Sequence, residues 1–253
     1  MTTIVDLHCH ILPNLDDGPA GLGEALRMAR MAVQDGITDV VATPHTSNGI
    51  YSNKAEDVIS AVKIFRQALD REQIPLQIHP GSEVHIHVEL IQNIESMSIL
   101  TFGNEKRYVL LELPQFNLPL MTDLLINELK CAGITPVIAH PERNQVLCSD
   151  PGRLARWIRE GAVAQLTAGS LTGELGRRVQ KTAEYMVKHK LAHLIASDGH
   201  NDGVRSPILS KGYKALERFL SAQAVSAYIL NAAAVLYGGS NLKNYQFNRG
   251  ASR

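Results

Sequence analysis

The segment DLHCHILPNLDDG, residues 6–18, directly follows the apolar pair Ile4 and Val5, a pattern typical of a short buried strand. Side chains two residues apart on a strand point to the same side, so His8 and His10 are expected to share one space. Neutral imidazole is the commonest metal ligand in proteins. The segment therefore predicts either the beginning of a metal site or a surface pair on an edge strand, and on its own it favours neither.

The composition excludes several classes of protein. The chain has 253 residues with 25 basic and 25 acidic side chains, and this neutrality argues against a broad nucleic-acid or acidic-membrane surface. No apolar run approaches a membrane span and the N-terminus lacks a signal-peptide pattern, so we expect a cytoplasmic protein without a membrane span. The odd, scattered set of Cys9, Cys131 and Cys148 indicates reduced thiols rather than disulfides.

Apolar strands and amphipathic helices alternate along the chain. After the opening strand, strands are predicted over residues 37–42, 76–78, 108–113, 134–139, 163–166 and 192–196, and helices over 22–34, 53–71, 88–94, 118–132, 151–160, 174–188 and 207–236. This alternation predicts an α/β fold with a mostly parallel sheet, and the seven units favour a closed or nearly closed (β/α) barrel. We expect one domain over residues 1–253, with 241–253 as a loose tail.

Polar residues gather directly after the predicted strands, at the end where the active sites of (β/α) barrels lie. As candidate metal ligands they offer only nitrogen and oxygen donors, which suit Mn²⁺, Fe²⁺, Zn²⁺ or Mg²⁺. The candidates are His8, His10, Asp17, His45, Glu83, Glu112, His140, Asp198 and His200. Nine ligands are too many for one ion, so we expect two or three ions with a bridging carboxylate such as Glu83.

Several neighbouring polar residues are expected to lie outside this ligand set. Asp16 is interpreted as a turn residue, although the sequence leaves open an exchange of roles with Asp17. His85 and His87 are expected to be solvated loop residues. Glu142 either orients the arginine that follows it or faces solvent.

Six motifs together resemble a known family. DLHCHILPNLDDG, ATPH, GSEV, LLELP, AHPER and SDGH, spread over residues 6–200, are similar to the motifs of the polymerase-and-histidinol-phosphatase (PHP) superfamily. Within it they most resemble the bacterial manganese-dependent protein-tyrosine phosphatases that act with capsular or exopolysaccharide tyrosine kinases. The resemblance implies a distorted seven-stranded (β/α) barrel with its active site at the C-terminal ends of the strands, and a trinuclear metal centre.

The resemblance also implies a role for each motif residue. One ion would be held by His8, His10, Glu83 and Asp198, a second by Glu83, Glu112 and His140, and a third by Asp17, His45 and His200. Arg143 and Arg205 would clamp the phosphate. Around Arg205 this chain has HNDGVRSP where the family wording is HNxDGRPP, but the arginine keeps its offset from Asp198.

The expected chemistry is hydrolysis of a phosphate monoester by attack of a metal-bound hydroxide on phosphorus. A metal-bound water ionises near neutral pH, with a pKa of about 7 on zinc. Arginine presents a planar fork of donors to phosphoryl oxygens. His45, His200 or the third ion could assist departure of the leaving group, and the sequence does not choose between them. As substrate, the resemblance implies a phosphotyrosine-bearing protein, namely the tail of a bacterial tyrosine autokinase of capsule or exopolysaccharide biosynthesis.

Other functions are weighed against this interpretation. A PHP-type phosphatase of small molecules such as histidinol phosphate is the alternative enzyme, and formal neutrality disfavours a nuclease. A non-catalytic regulatory module is disfavoured because no expected ligand is missing. A cysteine phosphatase requires an arginine six positions after the nucleophile. At that offset the three cysteines are followed by Leu15, Val137 and Leu154, so this mechanism is excluded.

Overall fold

Nine short strands alternate with helices over residues 3–238, the part of the chain that this computed structural model describes. The strands are β1 (Val5–Cys9), β2 (Asp39–Ala42), β3 (His45–Thr46), β4 (Gln77–Pro80), β5 (Glu83–His85), β6 (Tyr108–Glu112), β7 (Thr135–Ala139), β8 (Val163–Thr167) and β9 (Leu194–Ala196). The helices are α1 (Leu22–Gln34), α2 (Ala55–Arg71), α3 (Leu90–Glu95), α4 (Thr122–Cys131), α5 (Gln145–Ser149), α6 (Pro151–Arg159), α7 (Ala168–Thr172), α8 (Arg177–Lys188), α9 (Ser210–Leu216) and α10 (Ala222–Tyr237). The expected tail at 241–253 lies outside the described residues.

All strand pairings are parallel, as the α/β pattern predicts. One sheet has the order β1-β2-β4, and the other has the order β3-β5-β6-β7-β8-β9. Only the residues Thr43 and Pro44 separate β2 from β3, and only Gly81 and Ser82 separate β4 from β5. A single parallel bridge between Cys9 and Gly199 joins the end of β1 to the segment after β9.

Buried apolar side chains lie on both faces of the strands, as expected where helices cover a parallel sheet. The larger cluster fills the space between the strands and the surrounding helices, and includes Trp157 and Phe65. The smaller cluster combines strand residues such as Leu7, Leu110 and Leu194 with Val235 and Leu236 of α10. The strands are therefore held on both sides, which fixes the positions of the residues at their ends.

The structure departs from the predicted helices at several points, and two of them have a clear local cause. The helix predicted over 174–188 begins at Arg177, because Gly173 and Gly176 have positive φ angles that interrupt it. The single helical region predicted over 207–236 is wrong, since α9 and α10 are separate. The second of these, α10, is capped by Ser221, whose hydroxyl accepts a hydrogen bond from the backbone N–H of Ala224.

Two expectations from the composition agree with the structure. No helix within residues 3–238 is long and apolar enough to cross a membrane. All three cysteines are free, and Cys9 is buried. Burial raises the pKa of the Cys9 thiol well above its ordinary value, which makes it a poor nucleophile.

Candidate metal centre

The ends of the strands bring all nine predicted ligands to one place. They form four overlapping groups whose donor atoms lie within 4.8 Å of one another. These groups are His10, Asp17, His45 and His200; His8, His10 and Asp198; His8, Glu83 and His140; and His45, Glu83 and Glu112. Alternation on β1 directs His8 to the same side as His10, as the sequence predicts. Residues far apart in the chain thus surround a common space.

The groups partly match the ion-by-ion assignment that the resemblance implies. His8, His10 and Asp198 fall together, and so do Asp17, His45 and His200. Glu112 lies with His45 and Glu83, whereas the resemblance groups it with Glu83 and His140. Glu83 belongs to two of the four groups, which is the position expected of a bridging carboxylate.

One oxygen of Glu83 lies at the centre of the histidines. Its Oε2 is 3.1 Å from His8 Nε2, 3.2 Å from His10 Nε2 and 3.1 Å from His45 Nδ1. Within residues 3–238 this oxygen and His45 Nδ1 are buried but have no hydrogen-bond partner, because none of these close approaches has hydrogen-bonding geometry. Such groups are costly to bury unless something else compensates them. A divalent cation would do so, and the residues present therefore fit a metal site.

The pKa values of the buried histidines and carboxylates also favour a bound cation. Burial opposes protonation of His8, but the carboxylates of Glu83 and Asp198 outweigh it and raise the pKa of the imidazole. Burial also opposes ionisation of Glu83, yet the surrounding histidines hold its pKa well below the usual range. Buried carboxylates that raise the pKa of their neighbours create a field that favours positive charge. The same field favours a bound cation.

Hydrogen bonds on the far side of the imidazoles set their orientation. His8 Nδ1 is 2.9 Å from Oε1 of Gln165 on β8, and His200 Nδ1 is 2.9 Å from the backbone oxygen of Asp198. An imidazole that donates through one nitrogen presents the lone pair of the other. The sequence analysis missed Gln165. Its only signal in the sequence is a lone amide within the otherwise mostly apolar strand β8, and the structure shows that this amide is fully buried.

The structure distinguishes Asp16 from Asp17. Asp16 Oδ2 lies 2.6 Å from His10 Nδ1 and accepts a hydrogen bond from the backbone N–H of His45, while its Oδ1 accepts from Gly18. Asp17 Oδ1 instead lies 3.5 Å from His45 Nε2 and 3.4 Å from His200 Nε2. Asp16 therefore orients a histidine, whereas Asp17 faces the candidate site.

Asp198 connects the histidines to the two arginines. Its Oδ1 is 3.3 Å from His8 Nε2, while its Oδ2 is 2.6 Å from Nη2 of Arg143 and 2.9 Å from Nη2 of Arg205. Burial would raise the pKa of Asp198, but Arg143 and the histidines hold it well below the usual range. Both arginines thus lie at the edge of the donor cluster, paired with one of its carboxylates.

A buried carboxylate next to Arg143 organises the turn after β8. Glu142 Oε1 accepts hydrogen bonds from the backbone N–H of Thr167 at 2.9 Å and from the hydroxyl of Ser170 at 2.6 Å. Thr167 Oγ1 in turn accepts from Arg143 Nη2 at 2.7 Å. The alternative that Glu142 faces solvent is wrong, because the side chain is buried.

Two candidate ligands are presented by unusual backbone conformations. His140, directly after β7, has a φ angle of 30°, and Asp198, shortly after β9, has a φ angle of 53°. Residues other than glycine adopt this left-handed region at a cost of about 1–2 kcal/mol. Backbone strain of this kind gathers at functional sites.

An open cavity of about 470 Å³ leads to the donors and arginines. Besides them, its wall includes Asn48, Gln115, Asn144 and His85. The expectation that His85 is a solvated loop residue is wrong, because it is the last residue of β5 and is half-buried. Its Nδ1 lies 3.5 Å from Glu112 Oε2. The cavity therefore offers space for a substrate group beside the cluster.

Parallel strands that carry clustered histidines and carboxylates at their ends define a class of α/β protein with a candidate multinuclear metal centre. The family model for capsular polysaccharide synthesis proteins, CpsB/CapC, matches residues 4–237. The chain belongs to the CpsB/CapC family.

Individual relatives agree with this assignment. The chain is 38% identical over 203 residues to the tyrosine-protein phosphatase YwqE of Bacillus subtilis, covering 80% of each protein. It is 35% identical over 235 residues to the putative tyrosine-protein phosphatase CapC of Staphylococcus aureus, covering 92% of this chain and 91% of the relative. The structure is also similar to a crystal structure from work on YwqE of Bacillus subtilis and CpsB of Streptococcus pneumoniae, two metal-dependent tyrosine phosphatases. The two structures superpose with a TM-score of 0.89 at 35% sequence identity, covering 92% of this chain and 94% of the other. The resemblance to capsule-type tyrosine phosphatases is therefore confirmed.

Proposed function

We propose that this protein is a metal-dependent phosphomonoester hydrolase that removes phosphate from tyrosine in a protein substrate. The observation that carries the proposal is the single Glu83 oxygen surrounded by three imidazole nitrogens without a hydrogen bond, in a site where two arginines pair with Asp198. The relatives named as tyrosine-protein phosphatases supply the substrate class. Divalent ions bound there would supply water of lowered pKa and would neutralise charge on phosphoryl oxygens.

We propose all nine clustered residues as ligands of two or three divalent ions, with Glu83 as a bridge. Manganese is the preferred candidate, because the donors are nitrogen and oxygen alone and the resembling family uses it, while iron, zinc and magnesium suit the same donors. Asp16 and Gln165 would position His10 and His8 rather than bind an ion, since each is already within hydrogen-bonding distance of the outer nitrogen of its histidine.

Arg143 and Arg205 are proposed to hold the phosphoryl group. Their guanidinium groups meet at one oxygen of Asp198 and line the same cavity as the ligands. A planar guanidinium can donate two parallel hydrogen bonds to a phosphate. A tyrosyl leaving group has a pKa near 10, so it needs less protonation than an alkoxide. His45 and His200 remain the side chains proposed to assist its departure.

Membership of the family supports a more specific proposal for the substrate and its location. We propose that the substrate is the phosphorylated tail of a tyrosine autokinase of capsule or exopolysaccharide synthesis, and that both proteins meet in the cytoplasm. We further infer one catalytic domain built as a distorted seven-stranded barrel. Two points support this: β3 and β5 continue β2 and β4 after two residues, and the Cys9–Gly199 bridge joins the end of β1 to the segment that follows β9.

A single preparation tests the proposal. Protein loaded with Mn²⁺ is assayed on a phosphotyrosine peptide, the matching phosphoserine peptide and histidinol phosphate, with and without chelator, while its metal content is measured. We expect chelator-sensitive turnover that favours the phosphotyrosine peptide. Preference for histidinol phosphate would establish the small-molecule alternative, and metal-loaded protein without turnover of any substrate would refute a hydrolase.

A further inference from the structure

Among the described residues, the most exposed large apolar side chains lie in loops at the ligand-bearing ends of the strands. Within residues 3–238, four large apolar side chains expose more than two-thirds of their surface: Ile50 at 81%, Phe116 at 69%, Leu120 at 100% and Val204 at 82%. All four lie in loops that begin after strands at the ligand-bearing end. We call these four residues the apolar rim.

Each of these loops also contributes to the wall of the cavity. Asn48 lies two residues before Ile50, Gln115 directly precedes Phe116, and Arg205 directly follows Val204. Leu120 shares the loop between β6 and α4 with Phe116. Three of the four rim residues are thus within two positions of a residue that lines the cavity, which places the rim in the loops that form its wall.

Exposed apolar groups clustered around a polar site indicate contact with another molecule. A phosphotyrosine extends from its backbone by the length of an aromatic ring, so a phosphate held at the arginines leaves the peptide backbone at the mouth of the cavity. The residues on either side of the tyrosine would then lie against the rim.

We propose that the apolar rim is the peptide-binding surface of the enzyme, and that it selects phosphotyrosines flanked by apolar residues in an extended segment. The inference rests on the proposed phosphatase function and names the part of the substrate that lies outside the cavity. It assigns specificity to residues that take no part in the chemistry. Selectivity should therefore appear in KM rather than in kcat, because the rim contacts ground state and transition state alike.

The test compares three substrates. Two phosphotyrosine peptides have equal length and net charge, one with leucines and the other with serines on both sides of the phosphotyrosine, and p-nitrophenyl phosphate reports on chemistry without a peptide. The wild-type protein should favour the leucine peptide. The double variant Phe116→Ser/Leu120→Ser should lose about tenfold in that preference, the effect expected when two apolar side chains are each partly buried by a ligand. Ile64→Ser is the matched control, because Ile64 is 62% exposed but lies on α2.

The outcomes separate the two proposals. Turnover of p-nitrophenyl phosphate with no preference between the peptides, or a preference that survives in the double variant, overturns the rim as a peptide-binding surface. Absence of turnover of all three substrates overturns the phosphatase proposal itself. Size-exclusion chromatography of the same proteins detects the competing occupant: if the double variant dissociates a wild-type dimer and keeps the peptide preference, the rim is a contact between copies of this chain.

Discussion

The exchange of Asp16 for asparagine tests the internal organisation of the site most directly. Asp16 Oδ2 serves both His10 Nδ1 and the backbone N–H of His45, while Oδ1 serves the backbone N–H of Gly18. Asparagine has one acceptor oxygen and one donor group in place of two acceptors. Whichever way the amide is turned, an NH₂ group therefore faces a buried N–H donor.

Both the metal and the fold should respond to this change. Loss of a carboxylate that orients a ligating histidine typically weakens metal binding about 10–100-fold, which corresponds to about 1.4–2.8 kcal/mol. A buried donor left without an acceptor adds a destabilisation of about 1–3 kcal/mol. Asp16→Asn should therefore bind the same number of ions as the wild-type protein, but more weakly, and should unfold at lower urea concentration.

Asp17→Asn is the matched control, since Asp17 faces the candidate ions and has no such orienting role. Calorimetric titration of metal-free protein with Mn²⁺ measures both stoichiometry and affinity. We expect Asp17→Asn to lower the stoichiometry by weakening one ion selectively, and Asp16→Asn to lower affinity alone. The assignment is refuted if Asp16→Asn eliminates one ion while Asp17→Asn binds as the wild-type protein does.

Four further substitutions probe the rest of the molecule. Arg143→Ala should lower kcat/KM on phosphotyrosine peptide about 10²–10³-fold, as removal of a transition-state donor does, and unchanged activity with unchanged metal content would remove its assignment as a phosphate ligand. Gly18→Ala would place a methyl group 2.3 Å from the backbone oxygen of His10 and should destabilise the protein by about 1–3 kcal/mol in urea unfolding. Gly23→Ala, in α1 with its nearest neighbour at 3.7 Å, should instead stabilise it by about 0.5–1 kcal/mol. Burial lowers the pKa of His193 to about 4, so the unfolded chain takes up a proton first as the pH falls below 6.5. Metal-free wild-type protein should consequently lose about 2 kcal/mol more stability between pH 7 and pH 5 than His193→Asn, and equal losses would contradict this.

The sequence predicts best those elements whose signal is local. The helix at 22–34 has the predicted bounds, because its apolar residues repeat at helical spacing and Asp35-Gly36 ends it. Strands β3 and β5 are absent from the prediction. They are two and three residues long and begin with His45 and Glu83, so they offer no apolar run.

In the candidate site, too, the sequence predicts the features whose signal is local. All nine candidate ligands could be named because they lie at or after the ends of predicted apolar strands, but the division of roles between Asp16 and Asp17 depends on contacts made after folding. Gln165 and Glu142 act through partners more than twenty residues away in the sequence. No local pattern predicts such contacts, and only the assembled structure reveals them.

At His140 and Asp198 the backbone is left-handed, a conformation that favours glycine, although the site requires a side chain with a donor atom at both positions. Glycine would relax both positions, yet it offers no donor atom. At His140, selection for thermal stability alone would thus favour a residue that removes a candidate ligand, whereas at Asp198 the loss of the ion pairs with Arg143 and Arg205 opposes the exchange. Sequence libraries screened only for heat resistance should therefore accumulate glycine at position 140 rather than at position 198, and heat-resistant variants should be assayed for activity before they are kept.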